Sequence, residues 1–258
     1  MPEIGISPDV SLWMFDFDGT LSPLVADRTA ARLESTCRDM LHQLAAVRGF
    51  HCAVISSRLL SDLEDRVDVP GIFLGGGSGL EWRLPDGRLQ VPEADRRDAI
   101  RKVRKALIPE IMEWGLLPGV EIEDKQWSVA IHIRRATQQT QRALATLIDR
   151  WQQSRKVSVF RGPEVLELQL LPEVDKSFGV RAFCDLVNCT PVAGRLVYAG
   201  DDENDAVAMQ LVRDWGGTVV TVGKKAIVPG SNVVSNPMEL ARRISILAAF
   251  GDDAKIKK

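Results

Sequence analysis

The stretch Leu12-Trp13-Met14-Phe15-Asp16-Phe17-Asp18-Gly19-Thr20-Leu21 decides how this chain is read. An apolar run with β character ends in two carboxylates two residues apart, followed at once by a Gly-Thr turn. Alternate residues of a strand point to the same face, and the turn can re-aim them. Two anions this close repel, so one ionises reluctantly unless a cation sits between them. The arrangement suits Mg²⁺, a hard ion that takes oxygen ligands. It also suits a division of labour, with one carboxylate as nucleophile and the other as general acid/base. The plain alternative is a polar strand end whose Asp residues cap a turn.

Around that stretch the first third of the chain alternates strand and helix. Ser11–Phe15 reads as a strand, and Thr29–Val47 as a helix with Leu33, Cys37, Met40, Leu41 and Leu44 on one stripe. His51–Ile55 reads as a strand ending in Ser56-Ser57-Arg58, Leu59–Val67 as a helix and Ile72–Leu74 as a strand. This order implies a parallel sheet with crossover helices, and open α/β sheets bind ligands at the carboxyl ends of their strands. Asp16, Asp18 and Ser56 all fall at such ends.

The pattern changes after Gly75-Gly76-Gly77-Ser78-Gly79, a turn-former with no helix behind it and so not a dinucleotide loop. Glu81–Leu84 and Arg88–Val91 read as a hairpin around Pro85-Asp86-Gly87. A helix over Ala94–Trp114, strands over Val120–Asp124 and Ser128–Arg134, a helix over Gln138–Gln153 and strands over Val157–Phe160 and Val165–Leu170 follow. Residues 79–172 are thus expected to be an inserted α/β domain, with residues 1–78 and 173–258 forming the main one. Beyond Pro172 the alternation resumes: helix Lys176–Val187, strand Gly194–Ala199, helix Asn204–Asp214, strand Gly217–Val222 and a closing helix Pro237–Phe250.

Bulk properties narrow the function class. The chain has 258 residues, 45% hydrophobic and 26% charged, which suits a globular protein with a sizeable core. A formal charge of −2 argues against a nucleic-acid binder, which needs clustered Lys and Arg. The basic run Arg96–Lys105 reads as the solvated face of an amphipathic helix. No apolar run approaches the roughly 18 residues of a membrane span, so neither membrane nor nucleic acid is expected as a partner. Cys37, Cys52, Cys184 and Cys189 show no C-x-x-C spacing, and with no recognisable signal peptide they read as reduced, buried thiols of a cytoplasmic protein. Asp252–Lys258 reads as a frayed tail.

Four elements recur in order: Asp16-x-Asp18-Gly19-Thr20, Ser56 at a strand end, Lys176 at a helix start, and Gly200-Asp201-Asp202-Glu203-Asn204-Asp205. Each has a part in phosphoryl transfer, where a catalyst must supply cations and donors to a phosphate. Lys176 supplies a point charge. The Ser56 hydroxyl and nearby backbone N–H groups donate to phosphate oxygens. Asp16, Asp201 and the backbone carbonyl of Asp18 can hold Mg²⁺, with Asp202 and Asp205 behind them.

In order and context these motifs resemble the haloacid dehalogenase superfamily of phosphatases. Over essentially the whole length the chain is similar to its trehalose-6-phosphate phosphatases. The resemblance implies a Rossmann-like parallel-sheet core with an inserted α/β cap. It implies that Asp16 attacks phosphorus and that Asp18 protonates the leaving sugar oxygen and then activates water. Lys176 with Thr20, Ser56 and Ser57 would hold the phosphate. The cap segments Gly79-Leu80-Glu81-Trp82-Arg83, Glu123-Asp124-Lys125-x-x-Ser128-x-x-x-His132-x-Arg134 and Val165-Leu166-Glu167-Leu168 are similar to the family's sugar-reading segments. They make Glu123, Lys125, Ser128 and Glu167 the substrate-contact candidates, with His132 open between ligand contact and cap core. Trp82 and Trp127 are expected to pack first.

Departures from the family pattern accumulate around the sugar. Ser78 stands for a His, Pro163 or Glu164 for a basic residue, Gln169 for an Arg and Ser57 for a Gly. Ser177 replaces the Gly after the catalytic Lys, and Asn204-Asp205-Ala206 replaces Thr-Asp-Glu. The expected activity is Mg²⁺-dependent hydrolysis of trehalose 6-phosphate. Another glycosyl phosphate, a broad sugar-phosphate range and a non-catalytic sugar-phosphate sensor remain open, as does the oligomeric state.

Overall fold

A computed structural model describes residues 10–25, 27–153, 157–162 and 164–253. Pro163 and the end of the tail, 254–258, lie outside the described residues. Strand β1, Ser11–Phe15, is buried along its whole length. The other strands at the middle of the large sheet, β2 (Phe50–Ile55), β3 (Phe73–Gly76) and, later in the chain, β10 (Leu196–Gly200) and β11 (Thr218–Val222), are similarly apolar. Continuous apolar runs are what a parallel sheet covered on both faces requires. Helices α1 (Ser35–Ala46) and α7 (Pro237–Asp253) pack together on one face, while α5 (Lys176–Leu186) and α6 (Glu203–Asp214) pack together on the other. The short helix α2 (Leu60–Glu64) leans on β3.

The sheet has eight strands in the order β12-β11-β10-β1-β2-β3-β4-β5, where β4 is Glu81–Arg83, β5 Leu89–Gln90 and β12 Asn232–Val234. Every pair from β12 to β3 is parallel. The last two pairings are antiparallel. The expected hairpin therefore forms, but on the large sheet and not in the inserted module. Burial explains it: Trp82 is only 2% exposed, stacks on Phe183 with centroids 5.9 Å apart, and donates from Nε1 to the Gly79 carbonyl at 2.7 Å. Strand β12 had no distinct sequence signal.

The first helix also starts later than its periodicity predicts. Residues 29–34 do not join α1; Arg28–Ala30 form a single 3-10 turn capped by Asp27, and Glu34 caps α1 by accepting from the N–H groups of Thr36 and Cys37. A carboxylate cap stops the helix from extending toward its N-terminus, and it leaves the Arg28 turn beside the end of β1.

The second sheet is smaller and wholly antiparallel, in the order β6-β7-β9-β8, with β6 Glu121–Asp124, β7 Ser128–His132, β8 Ser158–Arg161 and β9 Val165–Gln169. Helices α3 (Ala94–Trp114) and α4 (Gln138–Gln153) bury Leu107, Ile111, Trp114, Leu144, Ile148 and Trp151 against it. Its apolar core is separate from the two clusters that flank the large sheet. No helix among the described residues is long and apolar enough to cross a membrane.

Candidate active site

The carboxyl ends of β1, β2 and β10 and the first turn of α5 meet under the smaller sheet, bordering a half-open cavity of about 600 Å³. Its floor carries Asp16, Asp18, Arg28, Ser57, Lys176, Asp201, Asp202 and Asn204, and its roof His132, Arg134, Arg135 and Glu167. Asp16 and Lys176 are almost fully buried, and Lys176 Nζ donates to Asp16 Oδ1 and to Asp205 Oδ1, each at 2.6 Å. Asp205, fully buried, also accepts from the Tyr198 hydroxyl at 2.8 Å and, through Oδ2, from the N–H groups of Asp201 and Asp202 at 3.0 and 3.3 Å. It is thus the hub that sets the β10–α6 turn, a larger part than the sequence suggested. Tyr198, buried in β10, carried no sequence signal for it.

This centre holds more anion than its one ammonium balances. Burial pushes the Asp16 carboxyl well above its ordinary range; Lys176 works against that push, and Asp205, Asp202 and Asp18 add to it. Burial and then the Asp16 and Asp205 charges drive Asp201 up to about 10. Burial, with Asp205 next, lifts Asp202 to about 6. Burial disfavours the charge on Lys176, yet Asp16 and Asp205 hold its pKa well above normal. Oxygens of Asp16, Asp201 and Asp205 lie within 4.8 Å of one another, a hard-donor set able to take a metal ion. Gly19, at φ +81°, is pressed so close to Asp201 that a Cβ there would overlap the carboxylate.

Asp18 is held apart from that group. Arg58 forks onto it, Nε to Oδ2 and Nη2 to Oδ1, both at 2.7 Å. Burial alone would raise the Asp18 carboxyl, but Arg58, with Arg28 and Lys125 behind it, keeps it below the usual range. The Arg58 fork engages both carboxylate oxygens of Asp18. Arg58 also pairs with Asp62 at 2.5 Å and donates to the Arg28 carbonyl at 2.9 Å.

Among the phosphate candidates, Ser57 lines the cavity and Ser56 does not. The Ser56 N–H goes to the Gly75 carbonyl at 2.9 Å and its hydroxyl accepts from the Arg58 N–H at 3.3 Å, so it is a turn residue. The Thr20 hydroxyl is fully buried and has no partner among the described residues. In the smaller sheet, Lys125, Ser128 and Glu167 form one buried group. Lys125 Nζ donates to Glu167 Oε2 at 3.1 Å and Ser128 Oγ to Oε1 at 2.8 Å, and Lys125 also reaches Ser57 Oγ at 3.3 Å. Glu167 faces the cavity, with Lys125 and Ser128 behind it. Burial opposes ionisation of Glu167, but the Lys125 charge and the Ser128 hydroxyl hold it low. Glu123 accepts at Oε2 from Arg28 Nη1 at 2.9 Å and pairs there with His132 Nε2 at 3.0 Å. These partners overcome burial and lower its pKa to about 2. Trp127 packs against Gly77 and belongs to the small core.

Arg28 and Arg58 had no assigned role in the sequence reading. Arg58 stood in view, two residues after Ser56, but nothing local shows that it reaches Asp18 forty residues away.

The trehalose-phosphatase family profile matches residues 14–240. A curated trehalose-phosphate phosphatase of Mycobacterium tuberculosis is 34% identical over 212 residues, covering 80% of this chain and 52% of the relative. The chain spans about half the length of the curated relatives it matches. Among solved structures, a trehalose-6-phosphate phosphatase related protein aligns with a TM-score of 0.72 at 18% identity, covering 95% of this chain and 100% of its own. The C-terminal domain of a C. albicans trehalose-6-phosphate phosphatase aligns with a TM-score of 0.71 at 19% identity, covering 93% and 92%. Those likenesses establish the shared architecture, and with the profile match over most of its length the chain belongs to the trehalose-phosphatase family, within the haloacid dehalogenase superfamily.

Proposed function

We propose that this protein is a Mg²⁺-dependent phosphatase that hydrolyses trehalose 6-phosphate to trehalose and phosphate. The observation that carries the reading is the buried Asp16–Lys176–Asp205 array at the carboxyl ends of β1 and β10, open to a roofed cavity. An Asp16 oxygen attacks phosphorus while the bond to the sugar oxygen breaks, giving an aspartyl-phosphate. Asp18 gives a proton to the leaving sugar; because the Arg58 fork favours its carboxylate, it carries that proton only while the fork is released. The carboxylate so formed is the species that the Arg58 fork holds. It then takes a proton from the water that attacks phosphorus, releasing phosphate and restoring Asp16. Lys176 keeps Asp16 oriented and offsets part of the phosphate charge.

The donor set fits Mg²⁺: all oxygen, clustered, and over-charged for one ammonium. Asp16, Asp201 and the Asp18 carbonyl would hold the ion, with Asp205, whose carboxylate stands in the same cluster, anchoring Lys176, Tyr198 and two backbone N–H groups behind them. Bound there, Mg²⁺ would neutralise phosphate oxygens and align them for displacement. The unit from Ala94 to about Leu170 acts as the cap, with Glu123, Lys125, Ser128 and Glu167 as its sugar-reading groups. Its closure excludes bulk water during transfer.

Phosphate release from trehalose 6-phosphate, sucrose 6-phosphate, glucosylglycerol phosphate and glucose 6-phosphate, with and without Mg²⁺, tests the reading. Trehalose 6-phosphate is expected to lead, and a flat profile would overturn the sugar assignment. Asp16→Asn is expected to abolish turnover with the fold intact, and residual activity within a few-fold of the parent would rule out Asp16 as nucleophile.

A further inference from the structure

Among the described residues, two hydrogen-bonded side-chain contacts cross from the floor of the cavity to its roof. Lys125 reaches Ser57, and Arg28 reaches Glu123. The second belongs to a longer line in which charges alternate from Arg66 to Glu123, with the His132 ring at its end. Arg66 pairs with Asp62, Asp62 with Arg58, Arg58 with Asp18, Arg28 lies 3.6 Å from Asp18 and 2.9 Å from Glu123, and Glu123 pairs with His132. Arg28 is the link that spans the gap between the two sheets' units. Its own place is fixed from below, because its carbonyl accepts from Arg58 and Asp27 caps its 3-10 turn.

The charge balance across the gap gives this link its importance. The floor carries Asp16, Asp18, Asp201 and Asp202, and Lys176 is committed within it. A roof carrying Glu123 and Glu167 approaches that surface against repulsion unless a cation stands between. Lys125 serves Glu167, and Arg28 serves Glu123 and Asp18 together. Arg28 and His132 both hold Glu123 through Oε2, and among the described residues Oε1 makes no hydrogen bond. A carboxylate fixed by one oxygen has the other free to accept from a hydroxyl.

We propose that Arg28 is a positioning residue that latches the cap onto the core and orients Glu123 for the sugar of the substrate. The proposal rests on the phosphatase reading above for its substrate, while the latch itself does not depend on which sugar is bound. It predicts a selective loss. In Arg28→Met, kcat/KM for trehalose 6-phosphate should fall about tenfold more than kcat/KM for p-nitrophenyl phosphate, a small ester with no sugar hydroxyls to read. The extra loss should appear mainly in KM, and Arg28→Lys should recover most of it. Equal losses on both esters, or no loss, would overturn the orienting role.

Hydrogen exchange of the Glu121–His132 amides supplies the independent reading. Without the latch, exchange there should quicken about tenfold in Arg28→Met relative to the parent, while β1 and β10 stay protected. Unchanged exchange would refute the latch whatever the substrate. Should the parent cleave p-nitrophenyl phosphate but not trehalose 6-phosphate, the sugar assignment falls and this exchange measurement still decides for or against Arg28.

Discussion

Gly19 shows how finely the centre depends on a missing methyl group. Its φ of +81° is a left-handed conformation that costs a residue with a Cβ about 1–2 kcal/mol, and that Cβ would overlap the Asp201 carboxylate. Gly19→Ala should therefore displace Asp201 and lower kcat about 100-fold, with a circular dichroism spectrum like the parent's. Activity within threefold of the parent would show that Asp201 is not tied to this geometry. Asp16, Asp18, Lys176 and Asp201 were legible in the sequence because each is announced by its immediate neighbours: a strand end, a Gly-Thr turn, a helix start, a Gly-Asp-Asp run. Arg58 and Arg28 were not, because their partners lie 40 and 95 residues away and long flexible side chains carry no local mark of what they reach.

At the scale of elements, the glycine-rich run after β3 is a packing device. Gly79, at φ +91°, lies so close to the backbone of Gly179 in α5 that a Cβ would overlap its Cα, and a Cβ on Gly179 would in turn stand 2.6 Å from the Ser78 carbonyl. The pair lets the 3-10 turn Gly77–Gly79 sit on the helix that begins with Lys176. Gly79→Ala should cost about 1–3 kcal/mol by forcing the turn off α5, read as a lower urea midpoint with unchanged m. A change below about 0.5 kcal/mol, typical of a surface site, would contradict this packing. The elements themselves were mostly legible, since periods of two and 3.6 are local properties. The start of α1 was not, because a Glu cap competes with a helical stripe and only the folded chain shows which one prevails. The placement of the β4–β5 hairpin was decided by where Trp82 finds an apolar seat, a property of α5 and the sheet together.

Across the whole molecule, two apolar layers sandwich the large sheet and a third core builds the smaller unit, so the floor and the roof of the candidate site stand on separate cores. Thiol chemistry tests that packing. Burial pushes Cys37 and Cys184 up to about 12 and Cys52 higher still, while Cys189 is half-buried and less strongly raised. Only thiolates react readily. Ellman's reagent at pH 8 should therefore modify Cys189 alone in the folded protein, and all four cysteines once denaturant opens the cores. Rapid modification of two or more thiols in the folded state would contradict the burial of the sheet layers.

By itself the sequence determined the alternation of strands and helices and the order of the Asp, Ser and Lys motifs along the chain, since these follow from spacings of a few residues. Only the tertiary structure decided that Asp205 anchors the centre, that Ser57 and not Ser56 faces the cavity, that Asp18 is clamped by Arg58, and that Arg28 spans floor and roof. Those choices depend on distances between side chains far apart in the chain, where burial, charge balance and close backbone approach select one arrangement from many that the local pattern permits.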